Sequence, residues 1–180
     1  MTAFLLILAL RAGAETSCLA RVAGRIAEVR SSFPALNGLN LVLEPYEGED
    51  DFYRAWPGGL MNRGKAHRVY SIRVNVKACA DAPPPDAERA IIAHELAHIE
   101  QYAAMGNYTV LRLGWEYWRR PEGEAVAIFE KTADHRAVKA GHAAGLAAYR
   151  EWLYARLPPE RVAVKRRLYL TPEELLPSPR

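Results

Sequence analysis

Residues 91–99 form an apolar stretch that is interrupted by two histidines and a glutamate. The four-residue step from His94 to His98 puts both imidazoles on one face of a helix, with the carboxyl group of Glu95 beside them. Burying three ionisable groups on that face is costly unless something pairs with them. A bound cation with a water would remove this cost. An ordinary helix would instead leave both histidines partly exposed and hydrogen-bonded.

Residues 94–98 read His-Glu-Leu-Ala-His, which is the helical spacing of a zinc-peptidase site. In that arrangement His94 and His98 bind the metal, and Glu95 acts as the general base on a metal-bound water. A catalytic zinc takes three protein ligands and leaves one position open for water. The pattern therefore predicts a Zn2+ site and requires a third ligand elsewhere in the chain.

The third ligand is expected on a later helix, predicted from Glu122 to about Ala140. Its inward face consists of small and apolar residues, and Glu130 lies at the edge of that face. Asp134, one turn further on, could accept the free N–H of a ligating histidine, a contact that such histidines normally make. Glu130 is the preferred third ligand, while Glu122 and Glu124 remain alternatives.

Together the two segments resemble the gluzincin metallopeptidases. Residues 130–137 read Glu-Lys-Thr-Ala-Asp-His-Arg-Ala, which is similar to the Glu-x-x-Ala-Asp-x-x-Ala pattern of that family. The closest branch contains the CAAX-prenyl endopeptidases and the bacterial heat-shock zinc proteases. The likeness covers residues 86–146, and the long transmembrane helices of that branch are absent here. It implies an α+β fold, a mainly helical zincin-like domain whose small sheet packs on the motif helix.

The resemblance also implies a role for each motif residue. His94, His98 and Glu130 would be zinc ligands, Glu95 the general base, and Asp134 the acid that orients a ligand. The implied activity is zinc-dependent hydrolysis of a peptide bond in a peptide or protein substrate. The alternative is a non-catalytic zincin-fold protein that serves in binding or scaffolding.

Substrate binding and transition-state stabilisation have weaker candidates. The predicted strand at residues 69–77 alternates apolar and polar side chains, as a half-buried strand does. It could be a sheet edge on which an extended substrate pairs. His142 and Tyr149 follow the third ligand and could donate to the oxyanion, although a structural role suits each of them better.

The hydrophobic periodicity and the turn-forming residues predict the remaining helices, strands and turns. Asp86 is expected to cap the motif helix, the Trp-Pro-Gly-Gly sequence at 56–59 to form a turn, and the aromatic residues between 108 and 120 to serve in core packing or as a lid. Helices are predicted at residues 18–29, 86–102, 122–140 and 146–157, and strands at 39–43, 69–77 and 162–164.

The composition fits one soluble domain, expected over residues 15–180. The chain has 180 residues, of which 50% are hydrophobic and 25% charged, so it is neither disordered nor in need of cross-links to build a core. Its net charge of +3 is too weak and too scattered to indicate a nucleic-acid partner.

The N-terminal residues predict export. An apolar run at 3–10, followed by Ala-Gly-Ala at 12–14, is typical of a signal peptide covering residues 1–14, and the run is too short to span a bilayer. The protein would then be periplasmic or secreted. The alternative is a cytoplasmic protein whose first helix packs into its core. Cys18 and Cys79 could form a disulfide in an oxidising compartment and would otherwise be buried thiols.

Overall fold

The computed structural model describes residues 2–48, 51–58 and 68–176, and gives the backbone alone for residues 2–15. These residues are mainly helical with one small mixed sheet, which confirms the predicted α+β class. The elements are α1 (Thr2–Arg30), a 3-10 turn (Pro34–Leu36), β1 (Asn40–Tyr46), β2 (Tyr53–Pro57), β3 (Val69–Asn75), α2 (Lys77–Ala80), α3 (Pro85–Ala104), α4 (Asn107–Arg119), α5 (Glu124–Lys139), α6 (Ala143–Tyr154), α7 (Pro159–Leu168) and α8 (Pro172–Leu175).

The sheet has the strand order β1-β3-β2, with β1 parallel and β2 antiparallel to β3. The strand predicted as a sheet edge, β3, is therefore central, and the edge prediction for residues 69–77 is wrong. Ser71 and Asn75, on its polar side, are also buried, so the strand is not half-exposed. A central strand is covered by a neighbour on each side, which sequence alternation alone does not reveal.

The second strand, β2, lies where a turn was predicted, and it forms an edge of the sheet. Phe52 and Gly58 hydrogen-bond to β3, so Tyr53, Ala55 and Pro57 turn their backbone groups to the free side. The missing N–H of Pro57 therefore removes no bond of the sheet, which is why a proline is tolerated there. Gly59, the last residue of the predicted turn, lies outside the described residues.

The motif helix α3 is the centre of the molecule, because it packs against α1, α5, α6 and β2. It begins with Pro85 at its first position, and Pro84 is the N-cap. The prediction that Asp86 caps the helix is wrong, since a proline with its fixed φ already suits the first helical position and leaves Asp86 in the first turn. Gly145 of α6 lets the two helices approach closely: a Cβ there would lie 2.5 Å from the Asp86 carbonyl oxygen.

Helix α5 also packs against α3. Ala133 of α5 belongs to the core that packs on α3, and the ring of Phe129 stacks on the His98 ring with centroids 4.6 Å apart. The helix begins at Glu124 with Gly123 as its N-cap, so the predicted start at Glu122 is wrong by two residues. The strand predicted at 162–164 is also wrong, because these residues lie inside α7.

At the N-terminus, the backbone of residues 2–14 continues into α1, while Met1 and the side chains of 2–15 lie outside the description. The signal peptide over residues 1–14 therefore stays a prediction. A disulfide joins Cys18 of α1 to Cys79 of α2, with their Cα atoms 5.3 Å apart. In the described part of the chain, no helix combines the length and the apolar character needed to cross a membrane.

Candidate metal centre

Three buried side chains of α3 and α5 bring their ligand atoms to one point. The Nε2 atoms of His94 and His98 are 3.0 Å apart, and the Oε2 atom of Glu130 lies 3.2 Å from the first and 2.9 Å from the second. All three residues are at least 94% buried, with exposed fractions of 2%, 5% and 6%. Among the described residues, this is the group of histidine, cysteine and acidic side chains that could hold a metal ion.

The tautomer of His98 follows from its neighbour Gln101. The Nε2 amide of Gln101 donates to the carbonyl oxygen of Phe129 at 3.1 Å, which turns its Oε1 atom towards His98. That oxygen can only accept, and it lies 2.8 Å from Nδ1 of His98. The Nδ1 atom of His98 therefore carries the proton, and in the neutral ring its Nε2 atom is a bare lone pair facing Glu130.

His94 is oriented in the same way by Asp134. Its Nδ1 atom lies 2.7 Å from Oδ1 of Asp134, which also accepts from the Arg150 guanidinium at 2.9 Å. The other oxygen of Asp134 accepts from the backbone N–H of Leu170 at 2.8 Å. These three donors keep Asp134 ionised and lower its pKa despite its burial. The Nδ1 proton of His94 is thus fixed, and its Nε2 atom points at His98 and Glu130.

Two lone pairs and a carboxylate oxygen facing one another repel unless a cation lies between them. Without a metal that cation is a proton: burial opposes the charge on His94, but Asp134 and Glu130 outweigh it and raise the His94 pKa to about 10. Burial likewise opposes the charge on Glu130, but the two histidines hold its pKa well below the usual value. The donor set therefore fits a metal ion, which would replace that proton.

Glu95 lies beside the cluster without belonging to it. Its Oε2 atom accepts a hydrogen bond from the backbone N–H of Ala55 at 2.6 Å, which joins α3 to the free side of β2. Burial, helped by the nearby Glu130, raises the pKa of Glu95 in spite of the two histidines. A buried carboxylate with a raised pKa, next in sequence to His94 of the candidate metal centre, is chemically suited to take a proton.

The cluster opens into a cleft of about 600 Å³. β2 forms one wall, α4 another, and Tyr149 of α6 and Tyr169, which follows α7, contribute to the rest. The OH group of Tyr117 donates to Oε1 of Glu130, and the Tyr169 ring lies 5.8 Å from the His94 ring. Tyr149 also lines the cleft, whereas His142 does not and sits at the start of α6.

The alternative third ligands lie elsewhere. Glu122 is exposed and pairs with Arg167 at 2.6 Å, and Glu124 is exposed in the first turn of α5. Neither belongs to the cluster, in which Glu130 is the acid that lies against both histidines. The structure also places Asp134 against His94, at the contact for which the sequence proposed it.

Several residues of the site were missed from the sequence. Gln101 had a local signal, since it lies three residues after His98 on the same helical face. Ala55, Arg150 and Tyr169 had none, because each reaches the site only through the packing of distant elements.

No protein-family model matches this sequence, and the comparisons with curated proteins and with solved structures give no match.

Proposed function

We propose that this chain is a zinc-dependent peptidase with a zincin-like domain. In this proposal His94, His98 and Glu130 hold the zinc, and Glu95 is the general base. The observation that carries it is the convergence of the Nε2 atoms of two histidines and one carboxylate oxygen, 2.9–3.2 Å apart, beside a second buried carboxylate in a cleft. Tetrahedral zinc with bonds of about 2.0–2.1 Å needs its ligand atoms about 3.3 Å apart, close to these distances.

Zinc is supported by the donor set. Two neutral imidazoles and one carboxylate with an open fourth position are a known combination for catalytic zinc, whereas calcium and magnesium prefer oxygen donors. When bound, zinc lowers the pKa of a water in the open position towards about 7 and polarises a carbonyl oxygen.

The residues of the chain then have separate tasks. His94 and His98 stay in one tautomer because Asp134 and Gln101 accept hydrogen bonds from their Nδ1–H groups. Glu95 takes the proton from the attacking water and passes it to the amine that leaves. Its raised pKa favours this exchange, because a carboxylate that holds a proton more tightly is a stronger base.

A peptide or protein substrate would bind along the free edge of β2. That edge lines the cleft, and the Ala55 N–H already points at Glu95, so an extended backbone laid against β2 would pass the metal ligands. The strand proposed for this role from the sequence, β3, has no free edge. In this proposal Glu95 releases the Ala55 N–H when substrate arrives.

Export is part of the same proposal. A disulfide persists in an oxidising compartment, and the Cys18–Cys79 bond is compatible with a periplasmic or secreted protein whose residues 1–14 are removed. Mass spectrometry of the protein from the cell envelope and medium tests it: a chain beginning at Glu15 is expected, and a full-length chain confined to the cytoplasm would overturn it.

The experiment on function begins with metal analysis of the purified chain. About one zinc per chain, lost with a chelator, is expected. Hydrolysis is then followed by mass spectrometry on casein and on a mixed peptide library. Glu95→Gln should keep zinc and lose at least about 100-fold in rate, the usual contribution of a general base. Glu124→Gln, an exposed carboxylate outside the cluster, is the matched control and should keep full activity.

The non-catalytic alternative is favoured by one contact. The Ala55 N–H gives Glu95 a structural partner, so Glu95 would have a use without turnover. Glu95→Gln separates the two functions, because the amide oxygen of glutamine still accepts from Ala55 but cannot act as a base. A binding or scaffolding protein would show zinc and no hydrolysis in either form. Full activity in Glu95→Gln would contradict the proposed mechanism.

A further inference from the structure

Helix α4 presents an apolar stripe to solvent. Tyr108, Leu111, Trp115 and Trp118 are spaced by three and four residues, so they lie on one face, and 78%, 49%, 53% and 74% of their surfaces are exposed. The rings of Trp115 and Trp118 contact each other with centroids 4.9 Å apart. We call these four residues the α4 stripe. The aromatic residues between 108 and 120, predicted to serve in core packing or as a lid, thus mainly face outward, while Tyr117 among them lines the cleft.

The stripe cannot turn inward, because the opposite face of α4 is already occupied. Val110 is buried, and Tyr117 donates to the metal-ligand candidate Glu130. Single exposed apolar residues are common on protein surfaces, but a contiguous row of two tryptophans, a tyrosine and a leucine is typical of an interaction surface.

Arginines border the stripe. Arg112, Arg119 and Arg120 are exposed, and within the described chain none of them forms an ion pair with a carboxylate. Glu116 is the single acidic residue in the sequence of α4. The border therefore carries uncompensated positive charge.

We propose that the α4 stripe docks on a bilayer surface that contains anionic lipids. Tryptophan and tyrosine are enriched at the level of lipid headgroups, and an amphipathic helix with Trp and Leu on one face and arginines beside it binds in the interface plane. The arginines match negative headgroups. A two-fold contact between two copies is disfavoured, because it would bring the arginines of both copies together.

Docking would place the cleft beside the bilayer. Leu113, Gly114 and Tyr117 of the same helix line the cleft, and Leu111 of the α4 stripe lines it too, so the stripe adjoins the cleft that holds the candidate metal centre. The surface itself does not depend on the proposed hydrolysis.

The test is co-sedimentation of the full chain with phosphatidylcholine vesicles, with and without phosphatidylglycerol, together with tryptophan fluorescence. Binding is expected with phosphatidylglycerol, with a blue shift of the emission, and it should weaken as salt rises. Trp115→Ser/Trp118→Ser should reduce binding at least tenfold. Arg112→Gln/Arg119→Gln should reduce it by about 25-fold, because each surface arginine contributes about fivefold.

Two controls keep the result interpretable. Leu176→Ser removes an equally exposed apolar residue, and Lys139→Gln an exposed charge, both away from α4; each should bind as the wild type does. Circular dichroism and zinc content confirm that the variants are folded. The apolar run at 3–10 is the same in the wild type and in all variants, so a difference in vesicle binding between them reports on the α4 stripe. Vesicle binding that survives the loss of Trp115 and Trp118 would overturn the proposal. Absence of vesicle binding by the wild type, or a dimer that dissociates in the tryptophan variant, would overturn it as well.

Discussion

The Nδ1 atom of His94 lies 2.7 Å from Oδ1 of Asp134, and the same carboxylate accepts from Arg150 and from the Leu170 N–H. One buried acid on α5 therefore orients His94 on α3, compensates a buried guanidinium on α6 and accepts a hydrogen bond from the chain after α7. Its position explains why it is 0% exposed although it is charged. The site and the packing of the later helices depend on the same residue.

Asp134→Asn tests this dependence. The asparagine side chain keeps the size but loses the charge, and we expect metal affinity to fall by about 10–100-fold, as it does when a partner of a ligating histidine is replaced. Removing the charge also leaves Arg150 buried without its counter-ion, which should cost about 3–5 kcal/mol of unfolding free energy. Competition with a chelating dye measures the affinity, and urea unfolding measures the stability. Glu124→Gln on the same helix serves as the control, and an unchanged affinity in Asp134→Asn would contradict this role.

Gln101 gives a second test of how the ligands are oriented. It fixes the Nδ1 proton of His98 while its amide donates to the Phe129 carbonyl. Gln101→Ala should weaken metal binding by about tenfold or more, because the His98 ring loses its fixed tautomer and orientation. The change should be visible in dye competition, with the exposed neighbour Ala104→Ser as a control. Equal affinity in both variants would mean that packing alone orients His98.

The cluster of the candidate metal centre was predictable because its parts are local. His94, Glu95 and His98 follow from a helical step, and Glu130 with Asp134 follow from a second helix whose small residues indicate a close neighbour. Each inference needed only the helical period and the cost of burying a charge. The distance between the two helices comes from the structure, because the hydrophobic period of a sequence does not determine it.

The surroundings of the cluster were not predictable in this way. The sequence did not predict β2, because Pro57 and Gly58 on their own indicate a turn. They are also compatible with an edge strand, in which a residue that faces the free side does not need an N–H group for the sheet. The predicted strand at 162–164 is wrong for a different reason, because three residues are too few to establish a hydrophobic period. Pro159 at the first position of α7 and the basic residues in its last turn favour a helix.

The pKa of His94 predicts proton release on metal binding. Because this pKa is raised to about 10 in the metal-free site, His94 carries a proton at neutral pH that the metal must displace. Displacement of this proton should make the affinity rise by at least about tenfold per pH unit from pH 7 to pH 9, and the part due to His94 should level off above pH 10. Titration calorimetry in buffers with different ionisation enthalpies should detect at least about one proton released at pH 7.5, since a zinc-bound water with a pKa near 7 would release a further one. A pH-independent affinity would show that the site is already deprotonated.

The same pKa sets the direction of a stability change in the metal-free protein. The folded pKa of His94 lies above the unfolded value, so its pairing with Asp134 contributes stability that is fully present below about pH 6.5. That contribution should decline as pH rises towards about 10. Urea unfolding of chelator-treated protein at several pH values measures it, and His94→Asn should remove the decline.

The disulfide between Cys18 and Cys79 closes a loop of 61 residues between α1 and α2. Cys18→Ala/Cys79→Ala should lower the unfolding free energy by about 4 kcal/mol, mainly because the unfolded chain gains freedom. Reduction of the wild-type protein should shift its urea midpoint to that of the double variant. Coincident midpoints before and after reduction would show that the two thiols are not joined in solution.

Gly145 tests the contact that brings α6 against α3. A Cβ at this position would lie 2.5 Å from the Asp86 carbonyl oxygen and 2.9 Å from the Ala90 Cβ, and backbone cannot move aside as a flexible side chain can. Gly145→Ala should therefore destabilise the fold by about 1–3 kcal/mol, as overpacking does. Gly24→Ala in α1 is the matched control, since its Cβ would meet nothing within 4 Å and alanine is the better helix former by about 0.5–1 kcal/mol. Thermal unfolding should thus shift in opposite directions for the two substitutions, and a shift to higher temperature in both would mean that α3 and α6 are further apart than the structure shows.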